Sequence, residues 1–273
     1  MIALVTDSTA CMDAQEARAL GVRIVPHTYF VDENRYLEGA AGANGDYARV
    51  LAAARITRTA QTGVAAYAST FDELRRSGFE VLCIVISSRL SGAYSSARRA
   101  AQLSGEEHIQ VVDSHLTAGC LRYLLYRARA LCEKGLTLAD AAAAVQDYRS
   151  RLGVAFSVNS MEALRRSGRI GIVRQSMGTI LNQRPLLLLE SGGIVGGGVA
   201  RGKAEQAKKL AAYIPPHVRR LTVHYFGEKR EADVLWALLR EKYPDKELLL
   251  REGGPVLSIH LGLGTVAVAW ETE

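Results

Sequence analysis

No apolar stretch in this 273-residue chain approaches the roughly 20 residues needed to cross a bilayer; runs such as Leu186 to Leu189 are far shorter. An aspartate at position 7 breaks the first apolar run, which does not suit a secretory leader, so a cytoplasmic setting is expected. Cysteine is sparse. Cys11, Cys83, Cys120 and Cys132 show no C-x-x-C spacing and read as reduced thiols, with no metal-site signal and no cofactor implied. Large aromatics are few, with five Phe and two Trp, and the basic residues are scattered as Arg-Arg pairs rather than gathered in a stripe. That argues against nucleic acid, while the net charge of +6 still suits an anionic small molecule or an acidic protein face. P-loop, dinucleotide and G-x-S-x-G signatures are all missing; Gly196-Gly197-Gly198 lacks phosphate-loop spacing and reads as a strand or bulge.

What is present is a composition suited to a packed core, 48% hydrophobic and 23% charged, in a chain long enough for one large or two smaller domains. The most informative stretch is Val81 to Ile86, an apolar strand, followed at once by Ser87-Ser88-Arg89-Leu90-Ser91-Gly92 and a helix running to Leu103. A strand feeding a helix through serines gathers hydroxyls and unpaired amide N–H groups at a positive helix end, which suits an anion. The same serines also suit a helix cap that binds nothing. Two more polar strand ends precede helices or turns: Thr6-Asp7-Ser8-Thr9 and Asp113-Ser114. In a parallel sheet such ends lie along one edge, where ligands collect.

Strands at Ile2–Val5, Val22–Val31 (broken by Pro26), Val81–Ile86 and Ile109–Ser114 alternate with helices at 13–20, 46–55, 64–77, 93–103 and 117–134. Between them, 32–45 reads as a surface excursion and 57–63 as a polar loop. Thr137 and Asp140 resemble a capping box for an alanine-rich helix ending near Arg151. From residue 153 the pattern shifts to a strand at 154–158, short helices at 160–167 and 174–182, and a hairpin of 185–190 with 194–199. Helices at 202–213 and 228–243 follow, with strands at 221–226, 247–251 and 265–270. We therefore expect a parallel-sheet α/β/α domain over residues 1–152 and an α+β domain with a mixed sheet over 153–273.

Seven short motifs in order resemble those of the DegV family of bacterial proteins along nearly the whole chain. They are Val5-Thr6-Asp7-Ser8-Thr9, Ile86 to Gly92, Val112-Asp113-Ser114, Gly168-Arg169-Ile170, Leu181-Asn182 with Pro185, Arg201, and His260 with Gly262 and Gly264. The resemblance implies a two-domain fold holding a long-chain fatty acid between its domains. It further implies a non-catalytic, fatty-acid-binding subunit that presents the acyl carboxylate to a separate ATP-using fatty acid kinase subunit and carries the acyl phosphate. Transient membrane contact would accompany that role. Carried over by motif, Thr59 and Ser91 hold the carboxylate, while Arg169, Arg201 and His260 lie near the head group, the phosphate or the partner. The family loop Thr-Ser-Gln-Pro-Ser here reads Thr59-Ala60-Gln61-Thr62-Gly63, which makes Thr62 an additional candidate.

Each of these residues also has a plain structural use. Ser91 can cap a helix, Arg169 can bind helix carbonyls, Arg201 can be a solvated charge, and His260 can be a turn residue. A rival function is a serine-dependent acyl hydrolase, with Ser91 as nucleophile and His260 as base. A nucleotide-binding enzyme is a third reading, drawn from the α/β first half alone.

Overall fold

The computed structural model describes residues 1–170 and 183–273. The helix expected over 174–182 and the Leu181-Asn182 pair lie outside the described residues. From Ala3 onward β1 (Ile2–Asp7) is buried on both faces, as a central parallel strand requires. Asp13 accepts from Glu16 N and starts α1 (Ala14–Ala19), which returns the chain to the edge strand β2 (Val22–Val25).

Pro26 has a larger effect than bending a strand. The run expected from Val22 to Val31 divides between two sheets, because proline lacks the N–H that a continuing ladder needs. Beyond it, β3 (Thr28–Val31) pairs antiparallel with β4 (Asn34–Leu37) and, after α2 (Tyr47–Ala53), with β5 (Thr57–Ala60). Two expectations change here. The first four residues of the supposed polar loop 57–63 are strand, since pairing with β3 satisfies their backbone. The excursion 32–45 is not all surface either: Glu38 is 2% exposed, and its carboxylate accepts from Ser8 Oγ and Val256 N.

The parallel sheet is completed by α3 (Val64–Arg76), β6 (Glu80–Val85), α4 (Ala93–Ser104) and β7 (Ile109–Asp113), giving the order β2-β1-β6-β7. Next come α5 (Ala118–Glu133) and α6 (Leu138–Tyr148). Thr137 accepts from Asp140 N, the N-cap half of the expected box, while the Asp140 carboxylate accepts from the Thr137 hydroxyl in place of its backbone N–H.

From β8 (Leu152–Ser157) onward every described strand belongs to a second large sheet. After α7 (Glu162–Ser167), stopped by Gly168 at φ +71°, the hairpin of β9 (Gln183–Glu190) and β10 (Gly193–Arg201) turns through Ser191 and Gly192. Its register shifts between Gly196 and Gly198, so the glycine run is a bulge. The remaining elements are α8 (Gly202–Ala212), β11 (Val218–Tyr225), α9 (Asp233–Lys242), β12 (Glu247–Glu252), α10 (Pro255–Leu261) and β13 (Val266–Thr272). The sheet order is β10-β9-β8-β13-β11-β12, with only β11 and β12 parallel. Pro255 opens α10, and His260 lies in its last turn, whereas its plain structural reading makes it a turn residue before the glycines.

Helix α5 lies between the two large sheets, with Cys120, Leu121, Leu124 and Leu125 in one apolar cluster with Leu4, Leu82, Val154 and Ala269. A second cluster unites Val5 and Val85 of the parallel sheet with Phe156, Leu187 and Ala267 of the mixed sheet. Polar ties run the same way. Arg122, 3% exposed, donates to Glu16 and to Thr222 Oγ1, and Arg251 donates to Asp13 and Glu16.

Candidate functional site

The carboxyl edge of the parallel sheet faces the mixed sheet across a cavity of about 130 Å³ as water-sized spheres fill it, within about 1000 Å³ of non-atom space that includes solvent at its open mouth. One wall follows the strand ends: Thr9 beyond β1, His27 beyond β2, Ile86 and Leu90 to Gly92 beyond β6, and Thr117 with Ala118 beyond β7. The opposite wall is apolar, from Val154 and Phe156 of β8, Leu189 of β9, Ile194 of β10 and Ala267 of β13. Val256, Leu257, His260 and Leu261 of α10 contribute further lining, together with Leu164, Arg169 and Thr59 to Gln61. An apolar chamber with a few converging polar groups is the usual form of a small-molecule site.

Those polar groups are specific. Thr59 Oγ1 lies 2.8 Å from His260 Nε2. Burial, the Arg169 charge and the more distant His27 together push His260 down to about 4, so its ring is neutral at physiological pH. With the ring proton on Nε2, the imidazole donates to Thr59, and the threonine's own proton is free to turn toward an anion. Arg169 donates from Nε to Leu90 O (3.1 Å) and from Nη1 to Ser167 O, so it does bind carbonyls while lining the cavity. Ser91 Oγ accepts from Ala93 N at 3.2 Å, a turn bond just ahead of α4, whose N-cap is Gly92. An accepting hydroxyl keeps its proton, so the same oxygen can hold that turn and donate to a ligand.

Thr59, Ser91, Arg169 and His260 thus line one cavity. Thr62 and Arg201 do not line it. Thr62 is 3% exposed, with its hydroxyl 2.8 Å from His27 Nδ1. Arg201 is exposed at the end of β10, where its backbone N donates to Glu205 at the start of α8. Asp113 accepts from Ser88 N and His115 N, a loop-forming use.

Two residues were not anticipated. Gln61 Nε2 donates to Gly92 O (2.9 Å) and Ser96 Oγ (2.7 Å), joining the Thr59 loop to the helix after Ser91. His27 lies against the fully buried Asp7, with Nε2 3.4 Å from Oδ1, an ion-pair separation without hydrogen-bond alignment. Burial raises the Asp7 pKa, but His27, Thr9 N–H and O–H and Ile86 N–H outweigh it and hold the carboxyl low. Burial would lower His27, and Asp7, with help from Glu38, reverses that. The strand-end rule applied to β2 would have pointed to His27; Gln61 carried no such signal.

The hydrolase reading loses its geometry. His260 Nε2 is paired with Thr59 Oγ1, and Ser91 Oγ and His260 share no hydrogen bond, so the serine–histidine contact needed for attack is not formed. Among the described residues no group of three or more His, Cys, Asp or Glu could hold a metal ion, and no helix is long and apolar enough to cross a membrane.

Fold and cavity together define a mixed α/β protein that keeps an apolar chamber between a parallel and a mixed sheet, with hydroxyl, imidazole and guanidinium groups at its polar part. The DegV family model matches residues 1–273, and the chain belongs to that family. A DegV domain-containing protein of Deinococcus radiodurans is 32% identical over 282 residues, covering 99% of this chain and 98% of the relative. A fatty-acid-binding DegV family protein from Thermus thermophilus superposes with a TM-score of 0.86 at 28% identity, covering 100% of this chain and 99% of the other. A stearic-acid-binding protein from Eubacterium ventriosum shares the fold with a TM-score of 0.87 at 24% identity, covering 100% and 98%.

Proposed function

We propose that this chain binds a long-chain fatty acid in the cavity, with the acyl tail along the mixed-sheet wall and the carboxylate at Thr59 and Ser91. The observation that carries this reading is the meeting of Thr59, Ser91, His260 and Arg169 on one otherwise apolar chamber, in a relative of the Thermus fatty-acid-binding protein. Burying about fifteen methylenes at ~0.8 kcal/mol each gives roughly 12 kcal/mol before association costs, so the tail supplies most of the affinity. The head group then needs only to recover its desolvation, through two hydroxyl donors beside a cationic guanidinium. In this reading residues 1–152 and 153–273 are the two domains, and the ligand lies between them.

We further propose that the chain is not itself an enzyme and works in the cytoplasm. It would offer the bound carboxylate to a separate ATP-using kinase subunit, carry the resulting acyl phosphate, and load and unload by transient membrane contact. Arg169 and His260 would adjoin the head group, and Arg201, exposed on the surface, would contact the partner. Mass spectrometry of purified protein before and after denaturation tests the first part. A released C14–C18 acid, or uptake of one by emptied protein, is expected; an empty protein that takes up none would sink it. Hydroxylamine trapping of acyl phosphate tests the second. Product is expected only when a kinase subunit and ATP are both added, and product from this chain with ATP alone would overturn the non-enzymatic role.

A further inference from the structure

We propose that His27 is a positioning residue: with Asp7 and Thr62 it fixes the spacing of the Thr59 and Ser91 hydroxyls, and through that spacing the preference for a carboxylate head group. The inference rests on the fatty-acid reading above and adds to it a set of residues that act through their neighbours; of the three, Asp7 and Thr62 lie off the cavity wall and His27 lies on it.

Thr59 lies in β5 of the small antiparallel sheet and Ser91 in the loop after β6 of the parallel sheet, and no backbone pairing joins β5 to β6. Their separation therefore depends on what links the loops that follow those two strands. Asp7 is one such link, since its Oδ2 accepts from Ile86 N at 2.7 Å, where the chain leaves β6 toward Ser91. On its other side Oδ1 faces His27 Nε2, and His27 Nδ1 meets the hydroxyl of Thr62, three residues beyond Thr59. The imidazole thus spans from the carboxylate under one loop to the hydroxyl of the other. Its own backbone is fixed as well: His27 N donates to Ser8 Oγ, and Glu38 N donates to His27 O.

All three side chains are at least 97% buried, so solvent cannot substitute for a lost partner. Removing one leaves a buried polar group unsatisfied, and a shift of the loops relieves that penalty. Such a shift misplaces hydroxyls that must converge on one carboxylate, whereas a neutral alcohol head group needs only one of them. The tail wall lies on the other sheet and is unaffected. A purely structural role would instead degrade the whole cavity and weaken every ligand alike.

The test compares palmitate with 1-hexadecanol, which carries the same tail length on a neutral head, on emptied full-length protein at neutral pH. Thr62→Val, off the cavity wall, is expected to weaken palmitate about tenfold, the worth of one charge-assisted hydrogen bond, and to leave hexadecanol within about twofold, while His27→Leu, on the wall itself, is expected to weaken palmitate about tenfold more than it weakens hexadecanol. Thr62→Ser, which keeps the hydroxyl, is expected to retain native palmitate affinity. If His27→Leu does not fold, the near-isosteric Thr62→Val carries the comparison alone. Equal losses for both ligands, or none for either, overturn the proposal. Wild-type protein that fails to bind palmitate sinks the fatty-acid reading itself, and this proposal with it.

Discussion

Gly92 is required by its neighbour, not by its backbone. Its φ of −74° is open to any residue, but a Cβ there would lie 2.3 Å from Gln61 Cδ. What it would strike is the far end of a flexible side chain, so Gly92→Ala should move Gln61 aside and cost no more than about 1 kcal/mol of stability. The displaced amide loses Gly92 O and Ser96 Oγ, and with them the tie across the Thr59 and Ser91 loops. Palmitate should then leave Gly92→Ala about fivefold faster, roughly one net hydrogen bond, with a similar change in Gln61→Ala. Combining the two should add little, because both remove the same strap. Stopped-flow release kinetics decide the matter, and fully additive effects would show that Gly92 acts by another route. At this scale the sequence was informative where a residue type sat at a strand end or in a family motif, as Thr59, Ser91, Arg169 and His260 do. It was silent on Gln61, whose partners lie 31 and 35 residues away on another element. Thr62, an additional candidate in the sequence, lies off the cavity wall against His27, a contact that nothing local records.

The alternation of strands and helices through β7 was legible because both-face burial writes continuous apolar runs in β1 and β6, and α1 and α2 open on aspartate caps. The short sheet of β3, β4 and β5 was not, since its strands run only four residues each and β4 is exposed throughout. Helix α5 was legible as a helix, but its seat between the sheets was not. That seat is tight: a Cβ at Gly119 would fall 2.8 Å from Ala269 Cβ and 3.0 Å from His224 Nε2. His224 of β11 accepts from Gly119 N at 3.0 Å, satisfying one of the donors that a helix leaves free in its first turn. Burial, then the charges of Arg122 and Arg251, push His224 down to about 3, so the folded protein keeps it neutral. An unfolded histidine titrates near 6.5. Unfolding therefore takes up a proton at His224 at any pH between those values, and its contribution to stability falls as the medium is acidified from 6.5 toward 3. One such group gives a slope of at most about 1.4 kcal/mol per pH unit. His224→Gln, which keeps a neutral acceptor for Gly119 N, should flatten the acid limb of stability against pH by about one proton. Denaturant midpoints measured across that range check it, and an unchanged slope would mean that His224 titrates alike in both states.

At the scale of the whole molecule, the cavity is a consequence of how the two large sheets are held. Arg122, Arg251 and α5 tie them along one side, and Ser87 Oγ donates to Gly192 O (2.7 Å) where the hairpin turn meets the loop after β6. A ligand that fills the space between them touches Ile86 and Ala118 on one wall and Phe156 and Ala267 on the other. Its binding energy is then shared by both sheets, and neither can open fully without releasing it. At a free palmitate concentration one hundred times the dissociation constant, stabilisation by mass action is about 2.7 kcal/mol, or a hundredfold slower exchange at amides that open only on global unfolding. Hydrogen exchange should therefore slow by the same factor in Leu82–Val85 of β6 and in Ala267–Trp270 of β13, each central in its sheet. Protection confined to one set would assign the ligand to a single half and remove the basis for a carrier whose two sheets close on an acyl chain together.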